Sequence, residues 1–229
     1  MAEGIVARGK KTVVRWFQRE DVDKRQSWPH HTDPLYSHND PRPMSQRERD
    51  FWFLERSASS TYHMFAIDDF QGNLVGWLTL RNIDSNARTG VLGIALDPNW
   101  MGMGFGTDAL WAFLDYYFDG LGLREMRLDV AAFNRRAMRS YEKCGFQYIG
   151  QHWTEHPSSL FPPVFKDPRY RDVTKYFRRS LLGIEVMYYD MAIDRETYLR
   201  HKASQNGHQR ERGEAQAEDS APVRRTARR

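Results

Sequence analysis

The reading of this chain turns on Ala95-Leu-Asp-Pro-Asn-Trp-Met-Gly-Met-Gly-Phe-Gly-Thr107. The run that leads into it, Val91-Leu-Gly-Ile-Ala-Leu96, is apolar and of strand length. Asp97-Pro98 ends the strand, because proline has no N–H to give to a ladder. Glycines then stand at alternate positions, Gly102, Gly104 and Gly106, and Thr107-Asp108 opens an amphipathic run to Phe118. Strand, glycine loop and helix start in this order make an anion cradle. Without a Cβ in the way, successive N–H groups turn inward, and the helix N-terminus adds partial positive charge. The expected guest is a phosphate or pyrophosphate. Thr107 stands where a G-x-G-x-x-G loop needs its third glycine, and no Gly-Lys-Ser/Thr follows, so neither common nucleotide loop fits.

What does fit is a resemblance to the GNAT N-acetyltransferases. Met101-Gly-Met-Gly-Phe-Gly106 is similar to their coenzyme-A loop, R/Q-x-x-G-x-G/A, with methionine in the first place. Further on, Asn134-Arg-Arg-Ala-Met-Arg-Ser-Tyr-Glu-Lys-Cys-Gly-Phe146 resembles their N-x-x-A-x-x-x-Y-x-x-x-G-F block. Either half alone is weak; the two in order are strong. The loop, the Glu20-Asp21 start and the ending Tyr188-Tyr-Asp-Met-Ala192 look most like the ribosomal-protein alanine and spermidine acetyltransferase branch. That finer likeness rests on analogy rather than on site chemistry.

The resemblance implies an α/β GNAT fold with a mixed, mostly antiparallel central sheet. The sheet is splayed at the cofactor site and carries helices on both faces. It implies acetyl-CoA as co-substrate and transfer of the acetyl group to a primary amine by direct attack on the thioester, with no covalent enzyme intermediate and no metal. The acceptor would be a protein N-terminal α-amine or a small-molecule amine. The rival reading is a non-catalytic acetyl-CoA-binding regulator that kept the cradle and lost its base.

The resemblance also assigns residues. Met101, Gly102, Met103, Gly104, Phe105, Gly106 and Thr107 would hold the pyrophosphate, and the free edge of Ile94, Ala95 and Leu96 would pair with the pantetheine amides. Asn134 and Ala137 would lie beside the pantetheine and adenylate arm, with Arg135 or Arg136 reaching the 3′-phosphate. Tyr141 is the expected general acid, since a phenol near pKa ~10 can protonate a thiolate whose parent thiol is near ~8.5. The base is less legible. Relatives carry a glutamate on the strand that here reads Gly90-Val-Leu92, which has no carboxylate. Asp97 is the expected candidate, with Glu55, His30, His31 and His63 behind it. An α-amine near pKa ~8 is on the order of a tenth neutral at pH 7, whereas a lysine-like amine near ~10.4 is neutral less than about a thousandth of the time. Water alone could therefore serve the first.

Composition bounds the rest. Of 229 residues, 40% are hydrophobic and 14% aromatic, enough for one domain with a sizeable core. The net charge is +4, and from Ala203 onward six arginines face four acids, so half the surplus lies in the tail and a nucleic-acid footprint is not indicated. A single cysteine, Cys144, allows no intrachain disulfide and suits a reducing compartment. No run approaches a membrane span and no signal-like apolar segment opens the chain, so a cytoplasmic protein is expected, with a homodimer left open.

Residues 1–11 read as a flexible leader, 12–201 as the acetyltransferase domain and 202–229 as a disordered tail with almost nothing to bury. Strands are expected at 12–17, 62–67, 74–80, 90–96, 125–131, 146–153 and 186–193, and helices after Arg19, after Ser45 (a capping box with Glu48), over 107–118 and over 134–143. Residues 28–44, with four prolines and three histidines, read as a loop, and 154–185, rich in proline, aromatics and arginine, as an insertion. These two segments are expected to wall the acceptor site. Phe161, Phe165, Tyr170, Tyr176 and Phe177 would form its apolar floor, opposite His30, His31 and Asp33.

Overall fold

The computed structural model describes residues 4–204. Its strands are β1 (Ile5–Arg8), β2 (Thr12–Trp16), β3 (Tyr62–Asp69), β4 (Leu74–Asp84), β5 (Thr89–Leu96), β6 (Glu125–Ala131), β7 (Gln147–His156), β8 (Phe177–Arg179) and β9 (Ile184–Asp194). The helices are α1 (Arg19–Gln26), α2 (Gln46–Ser57), α3 (Phe105–Asp115) and α4 (Arg135–Lys143), and a further helix begins at Arg195 and runs to the last described residue. All strands share one sheet, ordered β1-β2-β3-β4-β5-β6-β9-β7, with β8 beside β9. Every pairing is antiparallel except β5 with β6.

That exception makes the site. β5 pairs with β6 only where Thr89–Val91 meets Glu125–Arg127. Beyond it the strands diverge, while Ile94, Ala95 and Leu96 stay paired with β4 on their other side. The splay leaves one edge of β5 with free backbone groups, which a bound chain can satisfy.

Helices cover both faces because the strands alternate. Phe65, Ile67, Leu78, Leu80, Leu92 and Met126 pack on one face against Leu110, Phe113, Leu114 and Tyr117 of α3 and its continuation. On the opposite face Met64 and Ala66 meet Phe17, Val22, Trp28 and Trp52. Buried Asp21 of α1 fastens that layer, taking 2.6 and 2.8 Å bonds from the Arg15 guanidinium, which also bonds Asp68 at 2.6 Å.

The structure departs from the sequence reading at both ends. Ile5–Arg8 is a strand on the sheet edge, not a leader. Its turn into β2 is held from the far side of the chain by Asp108, whose carboxylate accepts the Lys10, Lys11 and Thr12 N–H groups at 2.9, 2.8 and 3.0 Å and the Thr12 hydroxyl at 2.8 Å. Asp108→Ala leaves those donors without their acceptor and is expected to cost about 2 kcal/mol, hence about 4–8 °C in Tm by calorimetry. At the other end, the helix after Arg195 buries Tyr198 and stacks His201 on Trp111 at 5.4 Å, so the folded body extends past residue 201. The expected tail beyond Ser204 lies outside the described residues.

The 154–185 segment is not a plain excursion. β7 runs on to His156, β9 begins at Ile184, and β8 takes the stretch of β9 that β6 leaves unpaired. Phe161, Val164, Tyr170 and Phe177 form a small core of their own with Leu35, Ala131, Phe133 and Val186. Three aromatics expected as a cavity floor, Phe161, Tyr170 and Phe177, are thus packing residues, each under 8% exposed. Phe165 is 40% exposed, with the Arg179 guanidinium over its ring.

Candidate active site

A cavity of about 290 Å³ opens at the splay. Its walls are Ile94–Leu96 of β5, the glycine loop with the first turn of α3, one face of α4, and His31, Tyr36 and Asn39 of the 28–44 loop. The backbone explains the loop's glycines. Gly102 and Gly104 have φ of +79° and +88°, where L side chains are disfavoured, and no atom lies close enough to fill the space a Cβ would take. Gly104 is also the N-cap of α3 and gives it no side-chain cap. The first N–H groups of that helix are therefore open to an outside acceptor.

Charge follows the same design. Arg136, Arg139, Ser140 and Lys143 lie at helical spacing along α4 and all line the cavity, whose wall holds no carboxylate among the described residues. Lys11, brought in by the hairpin that Asp108 holds, donates from Nζ to the Met103 carbonyl at 3.2 Å. Met101, the departure from the family's arginine or glutamine, receives an Arg136 N–H on its sulfur at 3.0 Å. The cation missing from the loop is thus replaced by one reaching across from α4. A glycine cradle, free helix N–H groups and a basic wall fit the phosphates of acetyl-CoA, and the unpaired edge of β5 fits the amides of its pantetheine arm.

Several expected residues come together here: Ile94, Ala95, Leu96, Met101, Gly102, Gly104, Gly106, Thr107, Asn134, Ala137 and Tyr141 all line the cavity. Asn134 also works within the protein, accepting the Ala137 N–H at 3.1 Å as the cap of α4. Others do not arrive. Met103 is 53% exposed on the outside of the loop. Phe105 turns inward against Trp100, ring centres 5.0 Å apart. Arg135 does not line the cavity and borders an adjoining groove with Lys175 and Tyr176, so of the two expected arginines Arg136 is the one at the cavity. The 154–185 segment contributes to that groove and the 28–44 loop to both hollows, which adjoin across Tyr36, Arg136 and Arg139.

Asp97, the expected base, is spent elsewhere. It is buried and outside the cavity wall, and its carboxylate accepts the Asn99 N–H at 2.8 Å to cap the turn that follows β5. Aspartate before proline does this by default. Glu55 lies on α2 and His63 among Trp16 and Phe65, both outside the cavity lining.

Tyr141 is 7% exposed, with its ring against Phe146, and its hydroxyl has no hydrogen-bond partner among the described residues. Burial first, and then the charge of Asp129, pushes this hydroxyl well above the usual tyrosine range, so it stays protonated and able to donate. Asp129 was missed in the sequence, though strand alternation signals it: Met126, Leu128 and Val130 face the core, which turns Asp129 to the opposite face. There it takes a 3.0 Å bond from Arg81 and its charge also helps raise Tyr188, together with burial, to about 12. The single cysteine, Cys144, is fully buried between α3 and α4, and burial pushes its thiol up to about 12, which makes it a packing group rather than a nucleophile.

Comparison with known proteins agrees with this geometry. A family model for the acetyltransferase (GNAT) domain matches residues 11–147. A curated relative, spermidine N(1)-acetyltransferase of Vibrio cholerae serotype O1, is 33% identical over 123 residues, a match spanning 51% of this chain and 66% of that protein. Among solved structures, spermidine N-acetyltransferase from Vibrio cholerae in complex with CoA and spermine is 24% identical, with a TM-score of 0.61 over 82% of this chain and 98% of the other. The Vibrio cholerae spermidine/spermine enzyme with manganese ions is 23% identical, with a TM-score of 0.61 over 83% of this chain and 96% of the other. The chain belongs to the GNAT acetyltransferase family, whose members use acetyl-CoA as acetyl donor. No helix among the described residues is long and apolar enough to cross a membrane.

Proposed function

We propose that this protein is an acetyl-CoA-dependent N-acetyltransferase acting on a primary amine. The observation that carries the reading is the splay itself: a free strand edge ends at an uncapped helix on two left-handed glycines, beside buried Tyr141, whose hydroxyl has no hydrogen-bond partner among the described residues. Gly102–Thr107 with Arg136, Arg139 and Lys143 hold the phosphates, and Ile94–Leu96 align the pantetheine arm. Acetyl-CoA supplies the activated thioester. The amine attacks its carbonyl carbon, the C–S bond breaks, and the Tyr141 hydroxyl gives its proton to the departing sulfur.

The acceptor enters from the face that carries Asp129, whose negative charge favours a cationic amine over a neutral competitor. Both the relatives' named substrate, spermidine, and a peptide N-terminus satisfy that requirement. Incubation with acetyl-CoA and a panel of polyamines and peptides, read by CoA release and product mass, tests the reading. Acetylated product is expected with at least one amine class. Tight acetyl-CoA binding without release of CoA to any amine would instead indicate a regulator that kept only the cradle.

A further inference from the structure

We infer that His31, held by Asp40, is the group that takes the proton from the acceptor amine. The inference rests on the transferase reading above and adds the proton acceptor that Asp97 does not provide. His31 and Asp40 flank the 3-10 turn formed by Pro34–Asn39 in the loop between α1 and α2. Asp40 accepts the His31 backbone N–H at 2.9 Å and bonds its ring Nδ1 at 2.5 Å, while its other oxygen bonds Nδ1 of His30 at 3.0 Å. The two histidines are not equivalent. The His30 side chain is 76% exposed, whereas that of His31 is 8% exposed and lines the cofactor cavity together with Tyr141. With Nδ1 committed as donor to a carboxylate, the His31 lone pair resides on Nε2, which has no hydrogen-bond partner among the described residues.

Elimination points to the same group. Of the carboxylates near the splay, Asp97 caps a turn and Asp129 is engaged by Arg81. The cavity wall otherwise offers Arg136, Arg139, Lys143 and tyrosines, none of which accepts a proton near neutrality. Asp40 is ionised: burial opposes this, but the bonds from His31 and His30 outweigh it and hold its carboxyl below the usual range. The charged and titratable groups around His31 are Asp40, His30, His38 and Tyr36 of its own loop, and Arg136, Arg139, Tyr141 and Lys143 of α4 line the same cavity.

The protons balance. The ammonium form of the acceptor gives one proton to His31 Nε2, which passes it to solvent. The nitrogen attacks, and the second proton it sheds on forming the amide replaces the one Tyr141 gave to the sulfur. Asp40 is a positioning residue that fixes the ring and its tautomer.

His31→Gln, with the best amine from the panel, is the test. In the wild type, kcat is expected to fall on acidification, because a protonated ring cannot accept the proton. His31→Gln is expected to lose that acid limb and about a hundredfold in kcat, with acetyl-CoA affinity by calorimetry and Tm unchanged. Asp40→Asn should lower kcat in the same direction, and nitrogen-15 NMR of the wild type should show the Nδ1–H tautomer at His31. Wild-type kcat with the acid limb retained in His31→Gln, or an Nε2–H tautomer in the wild type, overturns the assignment. If the wild type releases no CoA with any amine, the transferase reading falls first and this inference with it.

Discussion

Tyr141→Phe is expected to lower kcat by about a hundredfold or more while leaving acetyl-CoA affinity within twofold. The hydroxyl contributes only as negative charge develops on the departing sulfur, so it discriminates transition state from ground state. Its surroundings make the substitution clean. The hydroxyl has no hydrogen-bond partner among the described residues, so removing it orphans no other group, and the ring keeps its packing against Phe146. Tm should therefore stay within a degree or two. Steady-state kinetics on the amine identified by the panel, with calorimetry for acetyl-CoA, provides the check. A wild-type kcat would make Tyr141 a core residue that happens to border the cavity.

Gly104→Val is expected to act on the other half of the reaction, weakening acetyl-CoA on the order of a hundredfold by calorimetry. At φ +88° a residue with a Cβ is strained by about 1–2 kcal/mol, and a β-branched one suffers most, so the loop shifts out of its present path. The first turn of α3 then loses the alignment of its free N–H groups. Each hydrogen bond to a charged phosphate is worth about 1.5–3 kcal/mol, so losing one or two of them accounts for the change. The Asp108 N–H bonds the Gly104 carbonyl at 3.0 Å, so Tm is measured beside affinity to show that the variant is folded. An unchanged affinity in a folded Gly104→Val protein would remove the glycine loop from the cofactor site.

The two variants separate the contributions of loop and helix. In the proposed mechanism Gly104 concerns binding of the donor, Tyr141 departure of the thiolate, and His31 the acceptor's proton. The three lie on different elements, which the cavity at the splay brings together.

Local sequence determined the parts whose geometry is set within a few residues. Glycines at 102 and 104 select left-handed backbone, Asp97-Pro98 ends a strand, Asn134 caps a helix, and alternation along β6 assigns faces. Each follows from sterics or hydrogen bonding inside one turn or one strand, so the cradle, the order of elements and the place of Tyr141 were legible. The basic stripe at 136, 139 and 143 was equally legible from helical spacing, though a charged face on a helix is by itself no more than a solvated face.

Tertiary structure decided everything that depends on rotation about a helix axis or on partners far along the chain. Arg135 and Arg136 are neighbours in sequence, yet their positions on α4 differ by about 100°, so only Arg136 reaches the cavity and Met101. Asp97 and Asp129 are both strand aspartates. One is consumed by the turn beside it, and the other is exposed and pairs with Arg81 on a strand two places away. Asp108 finds its donors up to ninety-eight residues back, and Phe161, Tyr170 and Phe177 are buried in one cluster with Leu35 rather than lining a cavity. A carboxylate, an imidazole or an arginine is chemically the same in any of these places. Which hydrogen bonds it has already spent, and which cavity its free atom meets, is fixed by contacts between elements that no local window contains.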